Sequence, residues 1–199
     1  MAKAKSNAPK NIIVLFVVAL ISVAILAVLN QITLEPIAKA EADAKAAVYK
    51  EVYNAAAEFE ELDVAKNYKS ADDTIVINTV LEAKDGSGKG IGYVFDATSK
   101  NGYGGDVQIA VGITNEGELT AFKVIAASET PGLGANAMED EYASQFSGLK
   151  AEEVKFVKGN ADKANNEIDA ISGATITTTA TTRAVNEAIN MFNTELKGE

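Results

Sequence analysis

From residue 12 to residue 29 the chain reads IIVLFVVALISVAILAVL, with no charge, no glycine and no proline. At about 1.5 Å of helical rise per residue, this run crosses most of a ~30 Å hydrocarbon core. A soluble fold would have to bury such a helix on every side. The run therefore reads as a transmembrane helix, taken here as residues 12–32. A cleaved signal peptide is the competing reading, but its apolar region is usually only about 7–15 residues and ends at a small-residue cleavage site. Asn30-Gln31-Ile32-Thr33 offers no such site. Lys3, Lys5 and Lys10 precede the run and Glu35 follows it, so the positive-inside rule assigns residues 1–11 to the cytoplasm. The expected location is a cell membrane crossed once, with the remaining chain outside the cytoplasm.

The 199 residues leave room for one globular domain with its own core. Pro36 reads as a break. Beyond it Ile37, Ala44, Val48, Val52, Ala55 and Phe59 recur at helical spacing among charges, which predicts an amphipathic helical connector over 33–70. The domain proper is then 71–199. Segments 74–83, 90–98, 107–114 and 119–127 are rich in β-branched and aromatic residues and separated by Gly- and Asn-containing turns, so they read as sequential antiparallel strands. Residues 136–146 look helical, 154–157 a short strand, and 178–196 a final helix. In that helix Ala180, Ala184, Val185, Ala188, Ile189 and Phe192 form one apolar stripe able to cover a sheet face. The predicted class is α+β, an antiparallel β-sheet with flanking helices, preceded by one N-terminal transmembrane helix.

Composition removes several chemistries. The chain has no cysteine and no histidine, which excludes thiolate and imidazole metal sites, iron–sulfur ligation and His-ligated haem. Redox chemistry would have to come from a cofactor held another way. With 28 Asp and Glu against 18 Lys and Arg, nucleic acid is not an expected partner.

Two runs carry candidate chemistry. In Asp169-Ala170-Ile171-Ser172-Gly173-Ala174-Thr175-Ile176-Thr177, small residues permit a tight turn into the last helix. The free N–H groups and dipole of such a helix start favour an anion, a phosphate above all. Thr175 places a hydroxyl at the same point. Taken alone, the run reads better as a capped helix start, with Ser172, Thr177 and Thr178 as caps. In Glu129-Thr130-Pro131-Gly132-Leu133-Gly134, proline and glycines bend the chain after a strand and present backbone N–H groups beside an apolar Leu133. That suits the edge and face of a planar ring, and alone it reads as an ordinary strand-to-helix loop.

Together the two runs resemble the FMN-binding domain of the membrane redox complexes called Rnf and sodium-translocating NADH:quinone reductase. The family signature Asp-x-x-Ser/Thr-Gly-Ala-Thr is matched by Asp169, Ser172, Gly173, Ala174 and Thr175, and the Glu-Thr-Pro-Gly-Leu-Gly run is complete in residues 129–134. The single anchor, the glycine-rich Gly102-Tyr103-Gly104-Gly105 and the last helix extend the resemblance over nearly the whole chain. Modest length brings it nearer the G subunit of an Rnf complex than the longer C subunit of the quinone reductase. One departure is Ser128, where relatives often carry a histidine.

The resemblance implies a redox subunit of a multi-subunit translocase, without turnover alone, carrying FMN esterified to Thr175. Glu129, Thr130, Leu133, Gly134, Ser172, Gly173, Ala174 and Thr177 would be further cofactor contacts. No residue is implied to be a catalytic acid or base, and no metal is implied. Implied partners are the other membrane and peripheral subunits and a flavin transferase that uses FAD and magnesium. Lys155 and Lys158 are candidates to offset the phosphate charge, and Tyr103 to stack on the ring. Three other readings stay open, a C-type subunit of a sodium-translocating NADH:quinone reductase, a membrane-tethered structural or assembly subunit and a flavin-containing sensor.

Overall fold

The computed structural model describes residues 8–197, with side chains from residue 10. Lys3 and Lys5, on which the inside-positive assignment partly rests, lie outside the described residues. The first helix, α1, spans Ala8–Val52. By its contacts the chain divides after Ala44 into two compact units.

In the first unit, α1 is long and apolar enough to cross a membrane, with a mean hydropathy of 3.4 in its most apolar window and none of that window buried. Pro36 lies inside the helix and does not end it. Proline has a φ compatible with helix, and it withholds its N–H and crowds the carbonyl four residues back, which here does not end the helix. The expected break at Pro36 is therefore corrected.

The second unit begins at Lys45, not at residue 71. The helical connector expected over 33–70 ends at Val52, and Glu58–Leu62 forms a strand, β1, paired antiparallel with residues 80–84. Its sequence EFEEL carries charge on an edge strand, where carboxylates discourage further pairing. A single helical turn, α2, covers Val64–Asn67. Next come β2 (Ile75–Lys84), β3 (Gly90–Ser99), β4 (Val107–Thr114) and β5 (Leu119–Ala127). The five strands form one antiparallel meander in the order β1-β2-β3-β4-β5.

The segment 136–146 is not one helix. It is a 3₁₀ helix at Gly134–Met138 and a single α-turn, α3, at Asp140–Ala143, separated at Glu139 by extended backbone. That break lets Tyr142 and Phe146 meet Phe122 of β5, Phe146 stacked on it at 4.4 Å and Tyr142 edge-on at 6.0 Å. Two short strands follow, β6 (Lys155–Val157) and β7 (Glu167–Asp169), which pair in parallel. The last helix, α4, starts at Thr175, three residues before the expected 178, and runs to Met191 before a π-helical turn at Phe192–Leu196.

Alternation along the strands sorts two cores. Phe95, Ile109, Val111, Ile113 and Phe122 meet the buried stripe Ala184, Val185, Ala188, Ile189 and Phe192 on one face. On the other, Val52 at the end of α1 and Tyr53 and Ala56 just beyond it pack on Leu81, Val94 and Ala110. Asp96, 1% exposed, sits among polar side chains on that second face. It accepts from the Tyr49 hydroxyl at 2.7 Å, Asn78 Nδ2 at 2.7 Å and Gln108 Nε2 at 2.7 Å, and pairs with Lys45 at 3.5 Å. Four donors around one carboxylate replace the water it gave up on burial.

Candidate functional site

β5 ends at Ala127 and hands the chain to Ser128 and the Glu129–Gly134 loop. This loop closes on itself. Leu133 and Ala135 both donate to the Thr130 carbonyl at 3.1 Å, and Gly132 takes φ +73°, a left-handed conformation. On the facing side, Asp169 leaves β7 and the chain turns through Gly173, at φ +74°, into α4. Asp169 is structural. Its carboxylate accepts from the Ala161 amide at 3.0 Å, and its amide donates to Gln145 at 2.6 Å. A methyl added at Gly173 would stand 3.0 Å from Leu133 Cδ2, so glycine there lets the two loops touch.

The two loops bound a cleft of about 370 Å³, within the range usual for small-molecule sites. It is lined by Tyr103, Glu129, Thr130, Leu133, Gly134, Gly173, Ala174, Thr175, Ile176 and Thr177. Eight of the nine expected site residues thus share one cleft, although they come from loops some 40 positions apart. The ninth, Ser172, does not line it. Ser172 lies on an adjoining larger groove of about 610 Å³ whose walls include Glu139, Glu141 and Asp169 as well as Tyr142 and Ile171.

The cleft is apolar at its rim and polar beneath. Tyr103 is 69% exposed, Ile176 52% and Leu133 43%, three large apolar surfaces facing solvent around one opening. Ile176 escaped the sequence reading. By spacing it extends the Ala180, Ala184 and Ala188 stripe and reads as core, yet in the first turn of α4 it remains exposed. Exposed apolar groups gathered in this way mark a binding surface more often than a solvated one.

Glu129 fixes the third wall. Its Oε1 accepts from the Tyr103 amide at 2.9 Å, tying the glycine-rich 102–105 loop to the strand end. Its Oε2 is buried without a hydrogen-bond partner, as is the Thr177 hydroxyl. A methyl on Gly134 would collide with both atoms.

The start of α4 is uncapped. Its N-cap residue is Ala174, with no side-chain hydrogen bond, where Ser, Thr, Asp or Asn would be usual. The alternative reading of Ser172, Thr177 and Thr178 as caps is not what the structure holds. Thr178 instead donates to the Ala174 carbonyl at 3.0 Å and accepts from the Ile171 amide at 3.1 Å. The amides of the first turn therefore remain available to an anion. Thr175 is exposed beside them, whereas Thr177, Thr178, Thr181 and Thr182 are buried. Lys155 lies elsewhere, lining a separate groove with Arg183 and paired with Glu153 at 3.8 Å.

The FMN-binding domain family matches residues 102–190, and the RnfG N-terminal region matches residues 1–52. The G subunit of the Na(+)-translocating ferredoxin:NAD(+) oxidoreductase complex of Acetobacterium woodii is 34% identical over 185 residues, covering 90% of this chain and 89% of that protein. Its counterpart in the proton-translocating complex of Clostridium ljungdahlii is 43% identical over 112 residues, 56% of this chain and 58% of that protein. The G subunit of the ion-translocating oxidoreductase complex of Methanosarcina acetivorans is 29% identical and covers 94% of this chain and 95% of that protein. Among solved structures, Shewanella oneidensis NqrC has the same fold, with a TM-score of 0.53 at 23% identity over 72% of this chain and 70% of that one.

Proposed function

This chain belongs to the family of G subunits of Rnf-type ion-translocating oxidoreductase complexes, and on that basis we propose that it carries FMN joined to Thr175 as a phosphoester and serves as an electron-transfer station outside the cytoplasm. The carrying observation is the exposed Thr175 hydroxyl in the first turn of an uncapped helix, at the edge of a cleft with apolar walls.

The residues present fit the group part by part. The uncapped amides of α4 suit a phosphate, Tyr103, Leu133 and Ile176 offer apolar surface to a planar ring, and the unpartnered Glu129 Oε2 and Thr177 hydroxyl await polar groups of a ligand. When bound, FMN supplies the one- and two-electron chemistry that no side chain of this chain provides. The protein's own share is placement. The loop around Thr130 offers backbone groups to the ring edge, Glu129 holds the Tyr103 wall, and the ester keeps a cofactor exposed to the outside from being lost.

In this reading the hydroxyl is modified by a separate flavin transferase. The Thr175 oxygen forms a bond to the flavin-side phosphorus of FAD while the pyrophosphate bond breaks, AMP leaves and the threonine proton is released. Placement outside the cytoplasm is supported by the apolar α1 and by Lys10 at its start. The other complex subunits supply the remaining redox centres, so the isolated chain has no turnover.

The test is an intact mass with peptide mapping on protein from its native membrane. A flavin-phosphate increment on the Thr175 peptide, absent in Thr175→Ala and retained in Thr179→Ala, is expected. A colourless, unmodified native chain would sink the proposal and favour an assembly subunit.

A further inference from the structure

We propose that Asn101 is a self-modifying site. In the folded chain it deamidates through Gly102 to aspartate and isoaspartate, and the isoaspartate form releases the Tyr103 loop from Glu129, so that the domain carries a mark of its own age. This chemistry needs no cofactor and stands apart from the flavin reading above.

Of the asparagines in the sequence, Asn101 alone precedes a glycine. Deamidation begins when the backbone nitrogen of the following residue approaches the asparagine side-chain carbon. A Cβ on that residue obstructs the approach, and glycine has none and turns freely. The fold leaves the reacting groups open. Asn101 is exposed, and with Gly102 it lies between the end of β3 at Ser99 and the start of β4 at Val107, outside any helix or strand. Among the described residues, neither the Asn101 side chain nor the Gly102 N–H has a hydrogen-bond partner. Asn115, by contrast, precedes Glu116 and donates its side-chain amide to the Gly90 carbonyl at 3.0 Å.

Water is the only co-reactant. The Gly102 nitrogen gives up its proton and bonds to Asn101 Cγ, closing a cyclic imide, and the side-chain nitrogen leaves as ammonia. Water then opens one of the imide's C–N bonds. Opening at Cγ gives aspartate, whereas opening at the backbone carbonyl gives isoaspartate, whose main chain runs through Cβ and Cγ. Either product exchanges a neutral amide for a carboxylate.

The loop has no slack to absorb the extra main-chain carbon. A methyl on Gly102 would stand 2.8 Å from Glu129 Oε1 and collide with the Gly105 carbonyl, and one on Gly104 would collide with the Ser128 carbonyl. Glu129 Oε1 accepts from the Tyr103 amide at 2.9 Å, immediately beyond the lengthened stretch of chain. With the inward side closed, the rerouted backbone moves outward, and the Tyr103–Glu129 bond is the contact it breaks. The new carboxylate, added next to Glu129, repels it in the same direction.

The test keeps the folded full-length chain in detergent, in warm, mildly alkaline buffer made with heavy-oxygen water, and then maps its peptides by mass. Isoaspartate is counted by methyl transfer from an isoaspartyl methyltransferase, and the Tyr103 amide is followed by hydrogen exchange. Heavy oxygen should enter the peptide carrying Asn101 and turn part of it into isoaspartate, while Asn54, Asn136 and Asn160, each followed by alanine, stay unlabelled. Protection of the Tyr103 amide should be lost in the aged chain and kept in Asn101→Gln through the same incubation. Labelling of Asn101 only after urea unfolding would overturn the proposal, because the fold would then guard the site. Equal labelling of the asparagines that precede alanine would overturn it as well. Isoaspartate at Asn101 with the Tyr103 amide still protected would overturn the release of the loop.

Discussion

Replacing Asp96 by Ala removes the acceptor shared by Tyr49, Asn78 and Gln108 on the face of the sheet that carries the end of α1. Hydrogen bonds to a charged acceptor contribute about 1.5–3 kcal/mol each, but these donors are only partly buried and recover part of that from water. Taking about 1 kcal/mol for each of the three donors gives a loss of about 3 kcal/mol. Lys45 adds little, because its side chain is 37% exposed and returns to solvent. Asp96→Asn keeps the volume and one carbonyl oxygen but turns an amide group toward donors, and about half the loss should remain. The assay is urea unfolding of the full-length chain in mild detergent, followed by tyrosine fluorescence since the chain has no tryptophan. The midpoint should fall with an unchanged slope. The Tyr49 phenol, held up first by burial and then by its bond to Asp96, should titrate at lower pH in the variant. A loss below about 1 kcal/mol would refute the reasoning, because it would mean that water serves the three donors as well as the carboxylate does.

Gly173→Ala should cost about 1–2 kcal/mol for a left-handed alanine, push against Leu133 and lower flavin loading at Thr175, read as absorbance per mole of purified protein. Phe122→Ala should destabilise by about 3–5 kcal/mol in thermal unfolding, since Phe122 is 1% exposed and packs against both Tyr142 and Phe146. The Asp72 carboxyl is held below its ordinary range, first by the Thr74 hydroxyl at 2.7 Å and, more weakly, by the Thr74 amide and Arg183. A lowered folded value means that this stabilisation is present above the ordinary carboxylate range and lost as pH falls through the folded pKa. Acid unfolding should therefore begin at higher pH in Thr74→Val, with a smaller displacement in Arg183→Ala.

Much of the sheet was legible because local signals agreed with the fold. VQIAVGIT in β4 is β-branched and bounded by turns, and β2, β3 and β5 share that character, so sequence limits and structural limits differ by a residue or less. What escaped was decided by distant partners. EFEEL carries three glutamates and shows its strand character only when paired with β2. β7 is three residues long and pairs in parallel with β6, and the residue before it, Asn166, reaches by its side chain to the Lys150, Glu152 and Glu153 carbonyls. The helix expected over 136–146 gave way because Tyr142 and Phe146 are placed by Phe122, not by their own spacing.

At the site, residue types and spacing pointed to the two loops, and eight of the nine expected residues do share a cleft. Ser172 could not be separated from its neighbours in sequence, because whether a turn residue faces one groove or the next depends on the side toward which Gly173 swings the chain. The Tyr103 wall depends on a hydrogen bond between residues 26 positions apart, which no local pattern encodes.

Before the chain folds, the threonines of α4 are chemical equals, each a secondary alcohol on a flexible backbone. The packed helix sets them apart by sinking Thr177, Thr178, Thr181 and Thr182, by holding the half-buried Thr179 hydroxyl on the Thr175 carbonyl at 2.8 Å, and by leaving Thr175 in reach of solvent. In the proposed reading an enzyme selecting a single hydroxyl is therefore responding to a finished fold, and modification must come after folding. Colour in a purified sample would then act as a record of how many molecules completed their domain, and a destabilised variant should emerge paler in proportion to the fraction that did not.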